Sequence, residues 1–252
     1  MRYRVILTVI LVLKGVLMAA AQQNFFNVPS SDITEKNKVF FQQQFNIGNG
    51  LLQLNSTFCW GLGKGTEVGF NVTGLTINTS GAGNLFLVNS NLANSPVYPF
   101  FTINAQKSFN LLKNFSLAFG TQMGISVGSH FGSYTYGNAI TKIPGWNTKL
   151  VVGLYGATDS FLGPEDRNIF LNGLNTLGFQ VGVEQPIIQE KFFLIVENIN
   201  GRHSLGETTL GGAYYFTTHW VFSVGYQFPN PQSKTAESWV IEMTYVPRSH
   251  RQ

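Results

Sequence analysis

The sequence predicts an all-β chain, a single closed antiparallel transmembrane β-barrel of about 12 strands, with about 10 as the next count the pattern allows. Three observations predict it. Residues 115–127 alternate, with Phe115, Leu117, Phe119, Thr121, Met123, Ile125 and Val127 on one face and Ser116, Ala118, Gly120, Gln122, Gly124 and Ser126 on the other. This is the two-residue period of a strand. The run exceeds the roughly five or six residues usual in soluble domains and reaches the roughly nine to eleven that cross a bilayer at a tilt. Second, beyond residue 21 no stretch attains the roughly eighteen apolar residues of a spanning helix, so lipid can be met only by a closed sheet whose backbone groups all pair. Third, the connections between runs alternate short and long, as in barrels with tight periplasmic turns and longer outer loops.

Residues 1–21 read as a signal peptide, with Arg2 and Arg4, an apolar stretch from Val5 to Leu13, and Ala19-Ala20-Ala21 ahead of Gln22. Its removal takes Arg2, Arg4 and Lys14, so 13 of the 16 basic residues remain against all 12 acidic ones. A chain so nearly neutral gives no reason to expect nucleic acid as a partner. Charged residues are only 11% and aromatics 14%, which suits a lipid-facing barrel. Cys59 is the sole cysteine, so no internal disulfide forms, and it reads as a small strand residue. Residues 22–37 are polar and irregular, with Pro29 and Ser30-Ser31-Asp32, and read as a periplasmic N-terminal lead-in; nothing in the sequence requires them to fold back into the lumen. The barrel is expected over 38–246, followed by a polar C-terminal tail, 247–252.

The first run sets Val39, Phe41, Phe45 and Ile47 against Gln42, Gln44 and Asn46, with Phe40 and Gln43 out of pattern, and Gly48-Asn49-Gly50 turns it. The second sets Leu52, Leu54, Phe58, Trp60 and Leu62 against Gln53, Asn55, Thr57 and Cys59. After Gly63-Lys64-Gly65 the third sets Val68, Phe70 and Val72 against Glu67, Gly69, Asn71 and Thr73. A long polar connection, 78–96, precedes Phe101, Ile103 and Ala105 alternating with Thr102, Asn104 and Gln106; a connection from Ser108 to Asn114 then enters the central run. Residues 130–142 alternate weakly. They are counted as a strand because only then do all the long connections fall on the outer side.

Leu150, Val152 and Leu154 oppose Lys149, Gly153 and Tyr155, and a second long connection covers 159–174. The last runs set Phe179, Val181 and Val183 against Gln180, Gly182 and Glu184; Phe192, Leu194 and Val196 against Ile195 and Glu197; Leu210, Tyr214 and Phe216 against Thr209, Gly211 and Ala213. Trp220, Phe222, Val224 and Tyr226 then oppose Ser223, Gly225 and Gln227, and Trp239, Ile241, Met243 and Tyr245 oppose Ser238, Glu242 and Thr244. Trp60, Trp146, Trp220, Trp239 and Tyr245 lie near strand ends, where amphipathic rings prefer the headgroup boundary.

The polar face supplies the expected lumen lining: Gln42, Gln44, Asn46, Gln53, Asn55, Glu67, Asn71, Asn104, Gln122, Lys149, Gln180, Glu184, Glu197 and Glu242. Amides hydrogen-bond uncharged polar solutes, and the acids favour cations modestly. The same residues can instead bond one another and close the barrel. Interior glycines (Gly69, Gly120, Gly124, Gly153, Gly182, Gly211, Gly225) either leave room or let aromatics such as Tyr155 and Tyr215 pack in.

Three stretches, Asn27-Val28-Pro29-Ser30-Ser31, Gly61-Leu62-Gly63-Lys64-Gly65-Thr66-Glu67-Val68-Gly69 and the run from Glu197 to Gly206, resemble the uncharacterised, porin-like outer-membrane β-barrel proteins of Bacteroidetes-type bacteria. The resemblance implies a bacterial outer-membrane location and no particular substrate.

Catalytic chemistry has one compact candidate, His203-Ser204 with Glu207, but neighbours within one loop do not readily aim at one another as a hydrolase dyad must. Asp159, Glu165 and Asp166 share a loop that can bind a divalent cation or bridge lipopolysaccharide through one, or simply be solvated. The four histidines have no metal-ligand spacing. No catalytic residue, cofactor or metal is expected. The expected function is therefore non-enzymatic: a passive pore for small polar solutes or ions in a Gram-negative outer membrane, touching lipid and lipopolysaccharide. Its alternative is a closed barrel acting through outer loops as adhesin, receptor or accessory subunit of an envelope or secretion complex.

Overall fold

Each alternating run lends its hydrogen bonds to the next in sequence, and the last returns to the first. A computed structural model describes residues 23–81, 83–163 and 177–247. The signal peptide, Glu165 and Asp166 with most of their connection, and residues 248–252 lie outside the described residues.

The strands are β1 (Val39–Gly48), β2 (Leu51–Gly63), β3 (Thr66–Asn78), β4 (Phe86–Leu87), β5 (Phe100–Leu112), β6 (Phe115–Ser126), β7 (Phe131–Ile143), β8 (Thr148–Ala157), β9 (Leu177–Ile188), β10 (Phe192–Ile199), β11 (Glu207–Tyr215), β12 (Trp220–Pro229) and β13 (Ser238–Tyr245). All but β4 form the wall. Each pairs antiparallel with its neighbour in the chain, β3 pairing with β5, and β13 closes on β1 from Phe41↔Tyr245 to Ile47↔Trp239. The described residues thus form a closed twelve-stranded barrel. The two-residue β4 merely extends the outer end of β3, through Thr76↔Leu87 and Ile77↔Phe86.

The weakly alternating run is β7, paired along its length with both β6 and β8. The expected connection from Ser108 to Asn114 is shorter, because β5 continues as a hairpin arm through Phe109↔Leu117 to Leu112↔Phe115. The β1–β2 and β2–β3 hairpins turn on Asn49-Gly50 and Lys64-Gly65, with φ of 52° and 71° and of 53° and 71°. Positive φ at both central residues gives a turn whose twist matches the strands, which is why Gly stands second.

Side chains on the two faces separate as the alternation requires. On β6, Phe119 and Ile125 are each 55% exposed while Ala118, Gln122 and Ser126 are buried. The outward misfit Gln43 is satisfied where it stands: it accepts from Ser56 Oγ at 2.6 Å and donates to the Asn55 carbonyl at 3.3 Å. No helix among the described residues is long and apolar enough to cross a membrane. Replacing Phe119 with Arg puts a charge on the outward face near mid-strand, and is expected to destabilise the barrel in vesicles by about 2–4 kcal/mol. Urea unfolding followed by tryptophan fluorescence measures it; an unchanged midpoint would place Phe119 away from lipid.

The core is inside the barrel, and the N-terminal segment packs into it. Residues 23–37, which the sequence leaves as a polar lead-in, fold into the lumen. Phe25, Phe26 and Val28 are buried there against Tyr134, Val151, Ile195, Val221 and Val240 of the wall. Burial of these apolar side chains supplies a driving force that the polar composition of the segment conceals.

Candidate functional site

Alternation turns all fourteen expected lining residues to the inside. Gln42, Gln44, Glu67, Asn71, Asn104, Gln122, Lys149, Gln180, Glu197 and Glu242 are buried, and Asn46, Gln53, Asn55 and Glu184 are partly buried. Several bond one another across strands. Asn71 Nδ2 donates to Gln122 Oε1 at 2.7 Å, Asn104 Nδ2 to Asn71 Oδ1, Asn55 Nδ2 to Gln44 Oε1 at 2.8 Å, and Gln180 Nε2 to Asn138 Oδ1 at 2.8 Å. An amide serves this well, since it donates and accepts at once.

Other polar wall groups hold the plug. Glu197 on β10 accepts three backbone N–H groups in a row, from Phe26 (3.2 Å), Asn27 (2.8 Å) and Val28 (2.9 Å). On β3, Glu67 accepts from the Thr34 amide at 2.5 Å, Gln23 Nε2 at 3.2 Å and Gln106 Nε2 at 3.1 Å. Lys149 Nζ on β8 meets Asp32 Oδ2 at 2.5 Å. Asn138 Nδ2 donates to the Pro29 carbonyl at 3.0 Å, and Asn27 Nδ2 to Glu207 Oε1 at 2.5 Å. A segment without regular structure must satisfy its own buried backbone, and these wall side chains do that for it.

The interior glycines divide the same way. A Cβ on Gly182 would strike the Phe25 ring, one on Gly211 or Gly225 the Phe26 ring, and one on Gly120 the Tyr136 ring. At those four positions glycine makes a socket for an aromatic rather than open space. Gly69 and Gly124 instead lie against neighbouring backbone.

A cavity lies on each side of the plug. The outer, about 330 Å3, is lined by Gln44, Asn46, Gln53, Asn55, Glu207 and Gln227 among others. The inner, about 810 Å3, is lined by Asp32, Lys142, Lys149, Glu184, Glu242 and Thr244 among others. Loops narrow the outer mouth: Phe161 and Leu162, in a helical turn at Asp159–Leu162, are buried, with Phe161 5.1 Å from the Phe100 ring centre.

His203, Ser204 and Glu207 are not assembled as a catalytic group. His203 is buried, with Nε2 2.5 Å from Tyr155 Oη and 3.1 Å from the Asn200 carbonyl, while Nδ1 accepts from the Leu205 amide at 3.1 Å. Glu207 is turned to Asn27. Burial lowers the His203 pKa to about 4, so the ring is neutral and pins the loop. Because the unfolded loop takes up a proton below about 6.5 and the folded one does not, local stability falls as pH drops from about 6.5 towards about 4. The protection factor of the Leu205 amide, its exchange rate set against the intrinsic rate at the same pH, is expected to fall as pH drops through that window; a constant protection factor would show that the ring is not buried. Among the described residues no group of three His, Cys, Asp or Glu comes together to hold a metal ion.

The aromatics expected at the interfaces sit at the two rims. Trp60, Trp146, Trp220 and Tyr245 lie at the inner end, Trp220 and Tyr245 with ring centres 5.3 Å apart. Trp239 begins β13 at the outer end, 5.0 Å from Tyr226.

Reading the sequence alone missed the plug. Two signals mark it: the apolar triplet Phe25, Phe26 and Val28 within a polar segment, and apolar residues such as Val151, Ile195, Val221 and Val240 on the face that should be polar.

No family model matches the chain, and no curated protein matches it in sequence. Solved structures do. The KdgM porin in complex with disordered oligogalacturonate has a TM-score of 0.57 at 8% identity, covering 83% of this chain and 99% of that one. The NanC porin has a TM-score of 0.55 at 8% identity, covering 84% of this chain and 100% of that one. At such identity the likeness establishes the fold alone, a closed antiparallel β-barrel.

Proposed function

We propose that this barrel lies in a Gram-negative outer membrane and passes small polar solutes or ions by diffusion, with the segment 23–37 as a removable restriction. The observation that carries the reading is the division of labour inside the lumen. Wall side chains such as Tyr134, Tyr136 and Tyr155 fill only part of it; a tethered segment packs against them, and a cavity with polar groups in its lining remains on either side. A barrel whose interior served only to be packed would be filled by the strands' own side chains. The fold shared with two porins supports the same reading, as does the sequence resemblance to porin-like barrels of Bacteroidetes-type bacteria. The exposed apolar belt is the surface that meets lipid and lipopolysaccharide. No step of bond making is assigned to any residue.

Wall charges set the preference. Glu67, Glu184, Glu197, Glu207 and Glu242 face inward against Lys142 and Lys149, so cations are favoured over anions. Planar-bilayer recording of the refolded chain under a salt gradient tests this. Discrete steps with a cation-selective reversal potential are expected. Anion selectivity would overturn the charge assignment, and silence from folded chains both with and without residues 23–37 would end the pore reading.

A further inference from the structure

We propose that the outer cavity is a binding site for an extended organic cation, a molecule carrying a protonated amine and further N–H or O–H donors along its length. The argument starts from unmatched acceptors. The side chains of Glu207, Gln227, Ser238 and Asn46 line this cavity, and among the described residues their Oε2, Oε1, Oγ and Oδ1 atoms, shielded from bulk water, have no hydrogen-bond partner. Glu207, Gln227 and Ser238 are 1%, 5% and 6% exposed. Buried polar atoms left so are costly, and a carboxylate more than an amide.

Their arrangement is ordered. They stand at the outer ends of four consecutive strands, β11, β12, β13 and β1. Gln227 pairs directly with Ser238, Glu207 faces Pro229 two residues beyond Gln227, and Asn46 pairs with Val240 two residues from Ser238. The other side of Glu207 is fixed, since Oε1 accepts from Asn27 Nδ2. Gln227 is fixed likewise, its Nε2 donating to the Ala236 carbonyl at 3.1 Å, which leaves Oε1 for a ligand.

The chemistry of the ligand follows from this wall. Three of the four oxygens can only accept, and the fourth is a hydroxyl, so the ligand must donate. The one formal charge among them is negative. Among the described residues the only cationic side chain lining this cavity, Lys234, is exposed at its rim. Strands lie about 4.8 Å apart, so four of them spread the oxygens over roughly 14 Å of wall before curvature, too far for one metal ion with ligands at about 2.3–2.6 Å. An elongated molecule with its ammonium on Glu207 and its other donors along β12, β13 and β1 can reach them all. The cavity of about 330 Å3 is large enough for a small one.

The site deepens the pore reading but is measured separately from it. Spermidine, an elongated triamine, is the probe, titrated calorimetrically into the refolded full chain in zwitterionic detergent. Saturable binding at one site is expected, weakened at least tenfold in Glu207→Gln. Ser238→Ala, which removes only a hydroxyl from the same wall, is expected to weaken it several-fold and serves if Glu207→Gln does not refold. Absence of saturable binding, affinity unchanged by these substitutions, or calcium chloride binding with the same dependence on Glu207 would overturn the proposal. Spermidine binding by a chain silent in the bilayer would retain the site and remove the pore; channels without spermidine binding would do the reverse.

Discussion

Deleting residues 23–37 is expected to raise single-channel conductance several-fold over that of the full chain. The reason is geometric: the segment is what separates the outer cavity from the inner one, and Phe25 and Phe26 occupy glycine sockets in the wall. The wall itself closes through β13 and β1 without the segment, so the shortened chain retains every strand pairing. Bilayer recording, with folding checked by the heat-dependent gel shift of barrels, reads the result. Equal conductance with and without the segment would mean that ions bypass it.

The second large effect is expected at Glu197. Its carboxylate receives the amides of Phe26, Asn27 and Val28, and hydrogen bonds to a charged group contribute about 1.5–3 kcal/mol each. Glu197→Ala removes all three acceptor contacts at once, and the amides regain partners only by leaving for water. The variant is expected to open in bursts approaching the conductance of the deleted chain, and to expose the segment to proteolysis near Phe26. Glu197→Gln keeps an oxygen at the same place and should fall between. If Glu197→Ala behaves as the parent in both recording and proteolysis, the tether lies elsewhere, at Glu67 or Lys149.

The barrel was legible because alternation is local. Phe119 beside Gly120 announces a face, and that face is the same whatever strand lies next to it. Even β7, whose pattern is weak, was recovered by the requirement that long connections share one side. The β5–β6 hairpin is longer than the sequence suggests, because Ser108, Asn110, Lys113 and Asn114 look like a loop, whereas pairing with β6 holds Ser108 and Asn110 and leaves only Lys113 and Asn114 as the turn.

The plug was illegible for the opposite reason. Val28 and Glu197 are separated by 169 residues, and Thr34 and Glu67 by 33, so neither tether leaves any periodic mark. The resemblance comes closest, since its three stretches contain residues 27–31 of the segment and both glutamates that hold it. Their meeting is a fact of the folded chain. The acceptors of the outer cavity are hidden likewise: in the sequence Asn46 is one lining residue among fourteen, Glu207 stands beside the His203-Ser204 pair as a catalytic candidate, and Gln227 and Ser238 are polar-face strand residues.

The plug also bears on assembly. Its tethers are on β3 and β10, on opposite arcs of the wall, while the seam joins β1 to β13 at the two ends of the sheet. An open, half-curled sheet keeps those arcs apart and cannot present both carboxylates to one short segment. Protection of residues 23–37 from protease therefore times the closing of the seam, which makes the stretch an internal clock for insertion into the membrane.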